Sequence, residues 1–328
     1  MSKCYLVIDC GTTNLRVKLL DENRNLVDAV KAEGGVRHTS IDGHNGRLRK
    51  MLKESIDAVL LKTGHTADDV IKCVASGMIT SGLGLMEIPH LPSPVSVEDM
   101  RSGMKEQVFE DIAPFPIAFI PGTRNFAGKV DMDNFGGMDM MRGEEVEAVG
   151  LYSLLGCQGP ALFVLPGTHN KFVSMGENGE ILGCMTSISG ELLDAITHHT
   201  IIADAVGHSF VAAEQYDSDM AKAGAWECAH SGLGRAAFAG RILSTLGGKE
   251  KDKIQSYLLG AVMALDVDAM QSFVKDLENM DVYVAGKDPV QRCMCDVLEA
   301  LSVEGAKPVD PAVSAQMGTA GVIAIAGL

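Results

Sequence analysis

The sequence has no excess of positive charge. Its 28 Lys+Arg stand against 43 Asp+Glu, a formal net charge of −15. A nucleic-acid or anionic-membrane surface needs basic side chains to neutralise phosphates, so partners of either kind are not expected. Long apolar runs are also missing. Stretches such as "GVIAIAGL" at 321–328 fall well short of the roughly 20 residues a membrane-spanning helix requires. Residues 1–20 lack the basic segment, apolar core and cleavage site of a secretory leader, so a cytoplasmic location is expected. Paired cysteines are missing too. The eight are scattered, and only Cys293 and Cys295 stand close, with no second pair at zinc-site spacing. Buried free thiols in a reducing compartment are the plain expectation. Nothing resembling a helix-turn-helix precedes residue 5, which leaves a DNA-binding regulator without support.

What is present is a repeat. A chain of 328 residues with 46% hydrophobic content and 36 glycines suits an α/β protein of two domains. Setting Gly11 over Gly167, an offset of 156, also aligns Thr12 with Thr168, Asn14 with Asn170 and Val17 with Val173. Each Gly-Thr follows an apolar strand candidate, "CYLVID" or "ALFVLP". Each is followed by a second strand ("LRVKLL", "KFVSM"), a turn ("DENRN", "GENGE") and a third strand ("LVDAV", "ILGCM"). A helix candidate closes each copy. The first, "RLRKMLKESIDAVLLKTG", shows one apolar face and a stop at Gly64. The second, "SGELLDAITHHTIIADAVG", opens on Ser189 as its expected N-cap. The matched order of elements predicts two duplicated α/β domains, 1–150 and 151–328, with a central cleft and the last helix packing back toward the interdomain region. Two strand-turn-strand tips with exposed N–H groups and hydroxyls suit phosphate oxygens. The plainer reading of either tip alone is an ordinary turn.

"DCGTTNLR" at 9–16 resembles the first phosphate motif of the actin-like ATPase superfamily, whose domains are ribonuclease H-like. Further segments are similar, in order, to the 2-dehydro-3-deoxygalactonokinase family: "ASGMITSG" at 75–82, "IPGTRN" at 120–125, "DMMRGEEVEAVGL" at 139–151, "LPGTHNKFV" at 165–173 and "SGELLDAI" at 189–196. Cys10 stands where that family usually has Trp, and Phe172 where Trp is common. The resemblance implies ATP-dependent phosphorylation of 2-dehydro-3-deoxy-D-galactonate at its 6-hydroxyl, in galactonate degradation, with Mg²⁺. A kinase for another sugar or sugar acid, and an ATP-driven scaffold of the actin or heat-shock type, are the alternatives. A homo-oligomer stays open.

On that resemblance, Asp9 at the first strand's end is expected to serve Mg²⁺ through water, since magnesium keeps much of its hydration. Gly11, Thr12 and Thr13 form one phosphate cradle, and Gly167 and Thr168 its counterpart. Lys171 is either a charge partner there or a solvated strand residue. "RGEE" opens a helix, where acidic residues are ordinary because of the helix dipole. The resemblance makes Glu144, ahead of Glu145, the base that orients and deprotonates the acceptor hydroxyl. Arg142 is expected to clamp the substrate carboxylate, its fork matching two oxygens, or to pair with Glu145 or Glu147. Asn14, Arg16, Gly77 and Met78 are further candidates for the sugar pocket. Gly286 is placed against adenosine by resemblance, and Gly318 with Ala320 in a close helix–helix or helix–nucleotide approach. His198 and His199 point about 100° apart on a helix and are not expected to share a metal.

Overall fold

The computed structural model describes residues 2–274 and 276–328. The chain divides into two compact units. The first holds Met1–Gln158, Gly179–Gly183 and Ala315–Leu328, and the second Gly159–Asn178 and Cys184–Ser314. The division falls at Gln158 rather than at 150, and the last helix belongs with the first unit.

In the first unit the strands are β1 (Cys4–Cys10), β2 (Asn14–Leu20), β3 (Leu26–Glu33), β4 (Val70–Gly77), β5 (Leu91–Pro92), β6 (Lys105–Phe109), β7 (Ala113–Phe119), β8 (Thr123–Arg124) and β9 (Met140–Met141). Six of them form a sheet in the order β3-β2-β1-β4-β7-β6, and β5, β8 and β9 form a small second one. The β1–β2 and β2–β3 pairs are antiparallel, while β4 lies parallel to β1 and β7 parallel to β4. Leu6, Ile8, Leu15 and Val17 project from this sheet into a core completed by Leu48, Leu52 and Ile56. Those three come from helix Gly46–Thr63, which ends at Gly64 in the left-handed conformation (φ 72°).

The second unit repeats the pattern with β10 (Ala161–Leu165), β11 (Asn170–Met175), β12 (Ile181–Ser187), β13 (Asp281–Val284) and β14 (Lys307–Pro308), in the order β12-β11-β10-β13-β14. Again the first two strands are antiparallel, and the fourth and fifth run parallel to the first. Helix Lys251–Phe273 is apolar nearly all round because its neighbours surround it, with Leu258, Val262 and Val267 in the core. Among the described residues no helix is long and apolar enough to cross a membrane. All eight cysteines are free.

Two sequence expectations need correction. Ser189 is the first helical residue rather than the N-cap, which is Ile188, because its hydroxyl donates to Asp266 Oδ1 (2.7 Å). Gly318 makes no close helix–helix approach, since a Cβ there would meet open space. The close approach of helix Met317–Ala326 to helix Glu144–Leu154 runs through Gly321 and Gly150, where a Cβ would overlap the carbonyls of Val146 and Met317.

Candidate functional site

In the second unit, the tip after β10 is held in shape by a buried polar network. Asn170 accepts from Gly167 N through Oδ1 (2.8 Å) and donates through Nδ2 to Asp266 Oδ2 (2.6 Å). Asp266, 1% exposed on helix Lys251–Phe273, thus joins the tip to Ser189 at the next helix start. Burial raises its carboxyl above the ordinary range, and hydrogen bonds from Ser187, Asn170 and Ser189 pull the other way. An acid inside the apolar run "AVMALDVDAM" is the signal the sequence carries for it.

Gly190 sits against the same tip. A Cβ there would overlap Gly167 O and come within 2.6 Å of Thr168 O and 2.8 Å of Thr168 Cα. Gly167, Thr168 and His169 are exposed, and the Thr168 and His169 N–H groups have no partner among the described residues. The tip opens on a cavity of about 770 Å³. Gly167, Thr168 and Gly190 line one part of it, and Val211, Leu258, Leu259, Met263, Pro289 and Val290 supply apolar walls. Peptide N–H groups beside an apolar slot are the donor set a nucleotide asks for: anion donors for phosphates, apolar contact for the base. Glu191 also lines the cavity, with its carboxylate on His169 Nε2 (2.6 Å). Lys171 is not solvated. It is buried, and its ammonium donates to Thr186 Oγ1. Gly286 follows β13 and packs near the Pro166 ring, where a Cβ would make ordinary 3.4 Å contact.

The first unit carries the matching tip. Gly11 O, Thr12 O and Thr13 O accept from Val36 N, Arg37 N and Gly34 N (3.1, 2.9 and 2.7 Å). The carbonyls are therefore turned inward, and the exposed Thr12 and Thr13 keep N–H groups without a partner among the described residues. Gly35 is the counterpart of Gly190. At φ +34° it presses so closely that a Cβ would overlap Gly11 O. Asp9 pairs with Arg16 across β1 and β2, Oδ2 to Nη1 at 2.9 Å, both about half exposed. Asn14 donates to Thr13 Oγ1 (3.0 Å). Gly77, at φ +85°, ends β4 beside Cys10 O, and Met78 packs partly into the core.

Helix Glu144–Leu154 begins beside this end of the sheet. A Cβ on Gly143 would lie 3.4 Å from Gly77 Cα. Its three acids are not equally buried. Glu144 is half-buried and accepts from Arg142 N (3.2 Å). Glu145 is fully buried, with both oxygens on Gly143 N (2.9 and 2.7 Å). That seals it from any ligand and leaves Glu144 the better placed of the pair. Burial pushes Glu145 up to about 8, with the Glu144 charge adding to it. Glu147, named from the sequence only as a possible partner of Arg142, is likewise pushed up to about 8 by burial, then by the Glu144, Asp9 and Glu145 charges.

A folded-state value above the ordinary 4.5 favours the protonated carboxyl in the folded state. That stabilisation is complete below the ordinary value and is lost as pH rises through about 8. Melting temperature should therefore fall across this window. Glu145→Gln, which keeps the acceptor for Gly143 N, should remove part of the fall, at most about 5 kcal/mol between its ends. Glu147 supplies the rest. Thermal melts in a pH series test this, and an unchanged slope would take Glu145 out of the account.

Arg142 departs from its expected task. Nη1 donates to Thr80 O (2.5 Å) and Thr80 Oγ1 (2.7 Å), and Nη2 to Ile88 O (2.9 Å), with His90 Nδ1 at 3.3 Å. The fork that was to clamp a carboxylate instead anchors the 78–90 loop. Among the described residues, no group of three or more His, Cys, Asp or Glu could hold a metal.

A sheet order repeated twice, with a glycine-threonine tip in each copy, is the duplicated ribonuclease H-like fold of the actin-like ATPase and sugar-kinase class. The pattern of the family described as 2-keto-3-deoxy-galactonokinase matches residues 9–325, and the chain belongs to that family. It is 28% identical over 214 residues to "Probable 2-dehydro-3-deoxygalactonokinase DgoK1" of Rhizobium meliloti (strain 1021), a match covering 62% of this chain and 60% of that relative's length. A crystal structure of a Sinorhizobium meliloti protein proposed to be a 2-dehydro-3-deoxygalactonokinase shares the fold at TM-score 0.77 and 20% identity, covering 99% and 100% of the two chains. Ethanolamine utilization protein EutJ from Carboxydothermus hydrogenoformans is similar at TM-score 0.50 and 10% identity, covering 99% and 90%.

Proposed function

We propose that the chain transfers the γ-phosphoryl group of ATP to the 6-hydroxyl of 2-dehydro-3-deoxy-D-galactonate, a step of galactonate degradation. The family match over residues 9–325 carries this reading. ATP fits the second unit's cavity, its phosphates against the free N–H groups of Thr168 and His169 and its base among Leu258, Met263 and Val290. The acceptor belongs to the first unit, at the carboxyl ends of β1 and β4, where ligands of α/β sheets commonly bind. There Glu144 orients the hydroxyl and accepts its proton. Asp9 is the carboxylate assigned to Mg²⁺, which when bound neutralises charge on the phosphates and retains most of its water. Arg16 holds Asp9 in place.

A coupled ADP-release screen over sugar acids, neutral sugars and short carboxylates tests the reading. Turnover on 2-dehydro-3-deoxy-D-galactonate is the expected result. Activity confined to neutral hexoses would overturn it.

A further inference from the structure

With Arg142 committed to the 78–90 loop, the carboxylate of an acid substrate needs another partner. The small sheet of β5, β8 and β9 offers one. Its register sets Pro92 and Met140 opposite Arg124, so the three share a face. His90 immediately precedes β5 and Arg142 immediately follows β9. His90 lies over Gly122, where a Cβ would come within 2.9 Å of ring Cδ2, and its Nδ1 is 3.3 Å from Arg142 Nη2. Burial first, then the Arg142 and Arg124 charges, push the His90 ring down to about 4.

The two arginines beside this ring differ in one respect. Arg142 donates to two backbone carbonyls and a hydroxyl. Arg124 has a buried Nε without a hydrogen-bond partner, and its guanidinium has no ion pair among the described residues. A guanidinium held partly out of water with no acceptor is unfavourable until an anion reaches it. One planar fork beside an uncharged imidazole suits a monoanionic carboxylate. A phosphate dianion would call for more positive charge than this face offers.

We propose that Arg124, with His90 beside it, binds the carboxylate of the sugar-acid substrate. This rests on the reading of the chain as a sugar-acid kinase and names the residue that selects the acid.

The test compares 2-dehydro-3-deoxy-D-galactonate with its uncharged methyl ester at saturating ATP, in the wild type, Arg124→Gln and Arg124→Lys. Arg124→Gln should raise KM for the acid roughly 10- to 100-fold, as loss of a charge-assisted hydrogen bond does, and leave KM for the ester and for ATP nearly unchanged. The acid-over-ester preference should collapse, with partial recovery in Arg124→Lys. In the wild type, bound acid should raise the titration midpoint of the His90 ring by NMR, and Arg124→Gln should abolish that response. If the wild type does not turn over the acid at all, the functional reading fails. If it does, and Arg124→Gln keeps the preference for acid over ester, the role of Arg124 alone is overturned. Should Arg124→Gln not fold, an unaltered preference in the folded Arg124→Lys protein overturns it equally.

Discussion

Glu144→Gln is expected to lower kcat by about two to four orders of magnitude while KM for ATP stays within about threefold. Glutamine keeps the length of the side chain and the oxygen that accepts from Arg142 N, so the turn into the helix is preserved. What disappears is a group able to take the hydroxyl proton. Neither neighbour substitutes well. Glu145 is sealed on Gly143 N, and Glu147, pushed up to about 8, is mostly protonated at neutral pH and a poor acceptor. Single-turnover assays on purified variants separate the residues. Wild-type turnover in Glu144→Gln would remove it as base, and a collapse only in Glu147→Gln would move the role there.

Gly190→Val should weaken binding of a non-hydrolysable ATP analogue by roughly 10- to 100-fold, measured by calorimetry. The substitution forces side-chain atoms against Gly167 O, Thr168 O and Thr168 Cα, all backbone of the tip, which cannot rotate away as a flexible side chain would. The tip must move or the helix must, and either displaces the N–H groups assigned to phosphate. Affinity retained within about threefold in a folded variant would mean that this tip is not the cradle. Gly35 stands in the same relation to Gly11 and Thr12, so the packing glycine is part of the duplicated design. The sequence carries both glycines, 155 positions apart, Gly190 within "SGELLDAI" and Gly35 outside the quoted motifs.

The strands, their tips and the acidic helix start were legible because each is a local property. A run such as "CYLVID" buries both faces of a strand whatever surrounds it, and Gly-Thr after such a run makes a turn. Matched order at an offset of 156 then implied the doubled fold, and β1–β4 with β10–β13 repeat the same pairings. Helix ends were less legible. Ser189 is a good N-cap by type, yet Asp266, 77 positions away, takes its hydroxyl.

The sequence alone thus determined the repeat, the glycine-threonine tips and the family, since those are written in residue order and spacing. Only the tertiary structure decided that Glu145 rather than Glu144 is buried, that Arg142 is anchored on the 78–90 loop, and that the last helix joins the first unit. The reason is physical. Periodicity records how much of a residue is buried, but a side chain's partner is chosen by space, and Arg142 finds Thr80 from 62 positions away while the buried Nε of Arg124 has no hydrogen-bond partner among the described residues.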